Sequence, residues 1–259
     1  MANANLATIR KYALQYNAVL VLIAMVIVSA YVSDVFFSGR NITNILRQVT
    51  ALGLISFGMF FVILTGGIDL SVGALMAVAS VVFAIFVPEY GFWLAALIAI
   101  LAGVGLGAVS GALVAWAGMA PFVATLAMMT MARGLALILV DGSPVMIDND
   151  TLSYLGSGFI LGLPIPLLVL LFFLVMFLIF ETYTAYGRII KAIGSNESAV
   201  KLTGINVPRY KFAVYCLSGA MCGLAGIIAT ARTTVGSPIL GTGLELDSIA
   251  AVVIGGASL

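Results

Sequence analysis

Apolar residues run along this chain in blocks of about twenty, parted by short polar joints. A helix rising 1.5 Å per residue needs roughly 20 such residues to cross a hydrocarbon layer about 30 Å thick. The blocks predict spans over residues 17–33, 49–65, 70–87, 92–117 and 121–140, a sixth from Pro164 or Pro166 through 180, and a seventh over 212–231. Pro88 and Glu89 close the third span, and the fourth is rich in glycine, with Gly103, Gly105, Gly107 and Gly111. Residues 39–48 carry Arg40 and Arg47 and read as a short interfacial helix whose arginines reach toward headgroups. Residues 246–259 are apolar but too short to cross. The fold class expected is all-α, a polytopic membrane helix bundle forming one domain over 1–259. A chain ending inside the bilayer would leave backbone groups unsatisfied, so a C-terminally truncated second half is expected.

Composition sharpens this picture. Of 259 residues, 63% are hydrophobic and 8% charged, against about 25% charged in an ordinary globular domain. A net charge of +1 with no basic stripe outside one loop gives no footprint for nucleic acid. There is no histidine, so the commonest general base and metal ligand is missing. Cys216 and Cys222 fall on divergent helix faces and read as small hydrophobes rather than a disulfide. The first span is read as a retained signal anchor. Trp93 and Trp116 read as interface anchors, and Phe60, Phe61, Phe172 and Phe173 as lipid- or core-facing.

Charge orients the spans. Arg10 and Lys11 hold the N-terminus on the cytoplasmic side, and the basic loop 181–211 returns there, with Arg188, Lys191, Lys201, Arg209 and Lys211. The loop 141–163 has Asp141, Asp148 and Asp150 and no Lys or Arg, and is expected outside; Arg40 and Arg47 fit this topology least well. Within the basic loop a short helix is expected: Ser195 as N-cap, Glu197 and Ser198 in the first turn, an apolar stripe of Ala199, Val200 and Leu202, and a stop at Gly204 before Pro208. An exposed helix of this kind suits docking of a soluble partner.

The acids near the spans are candidates for a pathway or gate. Asp69 and Ser71 lie in TGGIDLS, where an ionised group in hydrocarbon costs at least about 2.5–3.5 kcal/mol. The alternative is a cap on the third helix, which is preferred. Glu245 and Asp247 admit both readings. Arg133 either pairs with an acid across the bundle or snorkels from a helix end. Asn41 and Asn44 either meet a polar solute or end a short helix. Residues 65–74 resemble 242–251, with Thr, Gly, Ser and Ala in register, which suggests two pseudo-repeated halves around Gly-broken helices.

No G-x-x-x-x-G-K-[ST], H-E-x-x-H, G-x-S-x-G or paired-Cys metal pattern occurs. An intramembrane aspartyl protease needs two facing aspartates, and an ion-coupled carrier needs several buried acids; Asp69 is the main candidate for either. Three segments carry a resemblance: YGRIIKAIGSNESAVKLTGINV, LTGGIDLSVGAL and GTGLELDSIAAVVIGGASL. Together they resemble the permease subunits of bacterial ABC importers for monosaccharides, most of all the ribose permeases. The resemblance implies a multi-pass protein of the bacterial inner membrane with no cofactor of its own, ATP being bound by partner ATP-binding cassette subunits. It implies a second permease copy, a periplasmic sugar-binding protein and membrane lipid as the other partners. It makes 181–211 a cytoplasmic coupling loop through Gly194, Ser195, Asn196, Glu197, Ala199 and Gly204, and 141–163 a periplasmic loop. Related permeases carry other sugars or branched-chain amino acids.

Overall fold

Nine helices and four two-residue strands follow one another among the described residues: α1 (Asn17–Val32), α2 (Gly39–Leu64), α3 (Val72–Ala115), α4 (Pro121–Leu139), β1 (Val145–Met146), α5 (Asp150–Ser157), β2 (Phe159–Ile160), β3 (Leu163–Pro164), α6 (Ile165–Tyr183), α7 (Ala185–Leu202), α8 (Val207–Thr233), β4 (Val235–Gly236) and α9 (Leu244–Ile254). The computed structural model describes residues 17–257. Arg10 and Lys11, and the final Ser258 and Leu259, lie outside the described residues. The chain divides into two units, Met1–Ile45 and Leu46–Leu259, each described by itself.

In the first unit, Ser38 caps α2 by accepting from the Asn41 N–H at 3.3 Å, and the Asn41 side chain donates to the Phe36 carbonyl at 2.8 Å. The Asn41 amide is thus engaged in the turn. The separate interfacial helix expected over 39–48 is not found. Nothing between 39 and 64 interrupts the ladder, there being no proline, and the two segments form one helix of 26 residues.

The second unit is built around the first part of α3. Its residues from 72 to 84 are apolar or small and all are buried, as a helix apolar on every side must be to find partners. The helix runs through Pro88 rather than closing there, and breaks instead at Gly91 (φ 72°, ψ 173°). Only glycine holds that geometry without a Cβ penalty, and it divides α3 into arms 72–90 and 92–115. With α3 counted as two arms, the seven expected spans are all present. Among the described residues, five helices are long and apolar enough to cross a membrane, α1 being shorter.

α8 is the second core element and touches both arms. A Cβ on Gly103 would meet the Gly219 backbone, one on Gly107 the Tyr215 carbonyl, and one on Gly226 the Met76 carbonyl. Small residues let these backbones close up, a device suited to helices that gain nothing from burying apolar surface in lipid. Gly105, grouped with the others by sequence, faces open space. The Ser80 and Thr230 hydroxyls share a hydrogen bond of 2.6 Å between α3 and α8.

The loop 141–163 is ordered structure. β1 pairs antiparallel with β4, Val145 opposite Gly236. β2 and β3 form a hairpin turned by Leu161 (φ 53°) and Gly162 (φ 79°), the left-handed pair that a two-residue hairpin demands. Asn149 caps α5 by accepting from the Leu152 N–H at 3.0 Å. Arg47 donates to the Ser157 carbonyl and stacks its guanidinium 5.0 Å from the Phe159 ring centre. A Cβ on Gly194 of α7 would meet the Leu64 carbonyl at the other end of α2. Seventeen residues of helix separate Arg47 from Leu64, about 25 Å. The acidic segment and the basic helix therefore lie at opposite ends of α2, and Arg47 is accommodated at the acidic end.

Candidate functional site

α7 begins where Thr184 accepts from the Gly187 N–H at 3.1 Å. The stretch before Ser195, expected as loop, is helical because Ile189, Ile190 and Ile193 recur on one face, and Ile190 and Ile193 are buried. The helix breaks at Asn196 (φ −158°, ψ 91°), whose side chain accepts from the Ala199 N–H at 2.9 Å. The cap of the short helix is therefore Asn196, one residue beyond the expected Ser195: the amide oxygen of Asn196 sits where the first free N–H groups point. Gly204 (φ 83°) ends it.

The apolar stripe expected there is divided. Val200 turns inward onto Ile193 and Val207, while Ala199 and Leu202 face outward, Leu202 at 90% exposure. Glu197 receives Lys201 at 2.7 Å and Lys211 at 2.6 Å, and Glu181 receives Lys191 at 2.7 Å. Hydrogen bonds from Lys201 and then Lys211 hold the Glu197 carboxyl below its ordinary range. The folded pKa being depressed, these pairs contribute fully at neutral pH and are lost as pH falls through the acid range. Of the basic residues in this loop, Arg188 and Arg209 are left without a carboxylate partner among the described residues. Gly194, Ser195, Asn196, Ala199 and Gly204 are exposed and Glu197 half-exposed, so all six are accessible on α7 and the turn after it. A cavity of about 420 Å³ opens beside it, lined by Leu64, Gly66, Lys191, Gly194 and Ser195.

The loop between α2 and α3 is held from three sides. Asp69 is wholly buried; its Oδ1 accepts from the Ser71 N–H at 2.9 Å and the Ser71 hydroxyl at 2.5 Å, and its Oδ2 accepts from the Ser218 hydroxyl of α8 at 2.8 Å. Thr125 of α4 accepts from the Leu70 N–H at 3.1 Å. Neither Asp69 nor Ser71 caps α3 in the expected way. Ser71 itself is helical and makes no capping bond, and Asp69 binds the amide just before the first turn and then reaches across to another helix. Three donors satisfy this carboxylate without a cation, the condition for burying it at tolerable cost. The Tyr215 hydroxyl is buried with no partner among the described residues and sits against Gly67.

Glu245 and Asp247 are not joined to Asp69 by any hydrogen bond. Glu245 accepts from the Gly243 N–H at 3.2 Å and packs against Gly73 in the first turn of α3, and Asp247 is exposed. Arg133 forms no salt bridge among the described residues: its Nη1 donates to the carbonyls of Pro238 at 2.8 Å and Leu240 at 2.9 Å, and Glu245 lies near enough to favour its charge. Ser218, Thr125 and the 237–242 segment were not singled out by sequence. The available signal was the breaker cluster Gly236, Pro238, Gly241 and Gly243, which marks non-helical chain inside an apolar region.

The family described as branched-chain amino acid transport system / permease component matches residues 41–259. The chain is 39% identical over 257 residues to the ribose import permease protein RbsC of Haemophilus influenzae, covering 97% of this chain and 79% of that one. It is 43% identical to the RbsC protein of Bacillus subtilis (92% and 75% covered) and 36% identical to the D-allose transport system permease protein AlsC of Escherichia coli (87% and 70% covered). No solved structure matches.

Proposed function

Because the chain belongs to the branched-chain amino acid transport system / permease component family, we propose that it is the membrane-spanning subunit of an ATP-driven importer carrying a monosaccharide, ribose or a similar sugar. The observation that carries this is the run of sugar permeases among its relatives: ribose, D-allose, fructose and galactofuranose proteins at 36–43% identity. Such a subunit transports rather than catalyses, and needs no cofactor; ATP belongs to a partner.

In this reading two ATPase subunits dock on the α7 edge of two permease copies. A periplasmic binding protein delivers sugar at the opposite end, so that 181–211 is cytoplasmic, 141–163 periplasmic and the N-terminus cytoplasmic. The 25 Å between Arg47 and Leu64 supports two separate docking ends (about 1.5 Å per residue). Gly194, Ser195, Asn196, Glu197, Ala199 and Gly204 form the coupling surface. The helix there is braced by the Glu197 ion pairs and by the packing of Gly194 on the Leu64 carbonyl, so a push on it passes directly into α2 and the Asp69 loop. Asp69 and Ser71 serve as the closure between α2, α3 and α8; Glu245 and Asp247 are the gate candidates at the start of α9.

The test is co-purification with ATP-binding cassette ATPase subunits, followed by ATP hydrolysis in nanodiscs with a binding protein and ribose. Stimulation by the ribose-loaded binding protein is expected. Stimulation by isoleucine in place of ribose would support the amino-acid reading that the family description also covers. Glu197→Ala is expected to weaken ATPase association at least tenfold while membrane insertion is unchanged; full association by that variant would remove the coupling assignment.

A further inference from the structure

Between α8 and α9 the chain passes through the interior without forming a helix. The Ser237 N–H donates to the Ser80 hydroxyl at 3.1 Å, and the Gly241 backbone lies against the Gly73 backbone. Ser80 and Gly73 are seven residues apart on the buried arm of α3, about 10 Å along its axis. Residues 237–242 therefore run alongside α3 at the depth of the spans. Non-helical backbone at that depth is tolerated where it is buried in protein or lines water.

This segment is not buried on its outer side. Ile239 is 67% exposed and Thr242 is exposed. With Thr233, Ser237 and Leu244 they line an open cavity of about 490 Å³. Among the described residues, the amides of Ile239, Gly241 and Thr242 donate to no acceptor, and the Thr242 hydroxyl keeps its lone pairs after donating to the Ile239 carbonyl at 2.8 Å. Hydrocarbon would leave all of these unsatisfied. The inner side is fastened by Arg133, whose two bonds to the Pro238 and Leu240 carbonyls fix the path of the chain from the middle of α4.

We propose that residues 237–242 line the solute's route, offering backbone N–H groups and the hydroxyls of Thr233, Ser237 and Thr242 to a neutral polyhydroxylated solute, with Arg133 as the residue that positions them. This rests on the permease reading. A row of weak neutral donors and acceptors suits a sugar that must be released again. A second copy of the chain, or the part of its longer relatives that this chain does not span, packed dry against the same face is the alternative that the experiment must exclude.

The test uses the assembled transporter in proteoliposomes, in a Cys216→Ala, Cys222→Ala background. Ser237→Cys and Thr242→Cys are compared with Phe172→Cys, which lies on the outward face of α6 (64% exposed). A membrane-impermeant methanethiosulfonate reagent should modify the first two at least tenfold faster than the third, and millimolar ribose during turnover should slow that modification several-fold. Rates equal to the Phe172→Cys control would show a dry face and overturn the proposal. Labelling that ribose does not slow would overturn the solute contact, and slowing by isoleucine alone would overturn the solute class. Arg133→Met should change labelling at Ser237→Cys and Thr242→Cys tenfold and leave Phe172→Cys alone, with Arg133→Lys restoring the parental rates; no change would remove the positioning role. Water access needs neither ATP nor ribose, so failure to bind any ATPase would strike the importer reading separately.

Discussion

Two turns of this chain share a local geometry and differ in everything around it. Thr65 and Thr242 each donate their hydroxyl to the carbonyl three residues back, Val62 and Ile239, both at 2.8 Å. The next residues, Gly66 and Gly243, are both left-handed (φ 76° and 88°), and six residues beyond each Thr a buried serine follows, Ser71 and Ser248. Yet α3 begins seven residues after Thr65, whereas α9 begins two residues after Thr242. The acid accounts for the difference. Asp69 takes the Ser71 N–H into its own carboxylate and keeps 68–70 out of the helix, the competition that short polar side chains offer to helical bonding. In the second turn Leu246 stands at that position and the carboxylate comes from Glu245, which reaches back to the Gly243 N–H and so supports an early start. One turn is clasped to α8 by Ser218; the other opens on a cavity.

The comparison is broken most forcefully at Asp69. Asp69→Ala leaves the Ser71 N–H and the Ser218 hydroxyl buried without acceptors, at about 1–3 kcal/mol for each group, so a loss of roughly 3 kcal/mol is expected. Asp247→Ala, at an exposed site, should stay within about 0.5 kcal/mol. Thermal unfolding of the two variants in detergent measures the contrast, and similar shifts would show that the clasp is illusory. Asp69→Asn keeps an acceptor toward Ser218 and separates clasp from gate: retained sugar uptake is expected, and abolished uptake in a stable variant would make Asp69 a gate.

A smaller change isolates what the turns share. No atom lies within 4 Å of a Cβ placed on Gly66 or Gly243. Alanine at either site meets only the left-handed backbone penalty, about 1 kcal/mol. The two losses should be equal although one turn is clasped and the other open. A difference larger than the measuring error would show that the surroundings, and not the Thr-Gly geometry, set these turns.

Much of this was legible beforehand because membrane helices announce themselves: length and apolarity located the spans, and the basic loop located α7. Boundaries failed where a single side chain decided them. Asn196 and Ser195 are both good caps, and only the backbone break at Asn196 selects between them. Arg133 read either as half of an ion pair or as a snorkelling side chain, because sequence displays charges and hides carbonyls; its hydrogen-bond partners are backbone oxygens more than a hundred residues away. Asp69 was read as a local cap because Ser218, one serine in an apolar span, gives no sign that it faces that loop. The near repeat was visible as four matches, but which copy would be clasped depended on the offset of one acid.

The slightest effect expected is at the threonines themselves, and it bears on the open turn. Thr65→Val removes a buried hydroxyl, but the Val62 carbonyl still receives the N–H groups of Thr65 at 3.0 Å and Gly67 at 3.1 Å. The loss should be about 0.5 kcal/mol, near the low end for a single bond whose acceptor keeps other partners. Thr242→Val is the opposite case: among the described residues the Ile239 carbonyl receives only the Thr242 hydroxyl. If the cavity beside it holds water, a water molecule replaces the hydroxyl and the change costs about 0.5 kcal/mol or less. If that face is dry, the carbonyl is left unpaired at about 1–3 kcal/mol. Paired unfolding measurements on the two variants therefore report on water at the 237–242 segment without any transport assay. Near-equal small losses are expected, and a markedly larger loss for Thr242→Val would count against a wet route there.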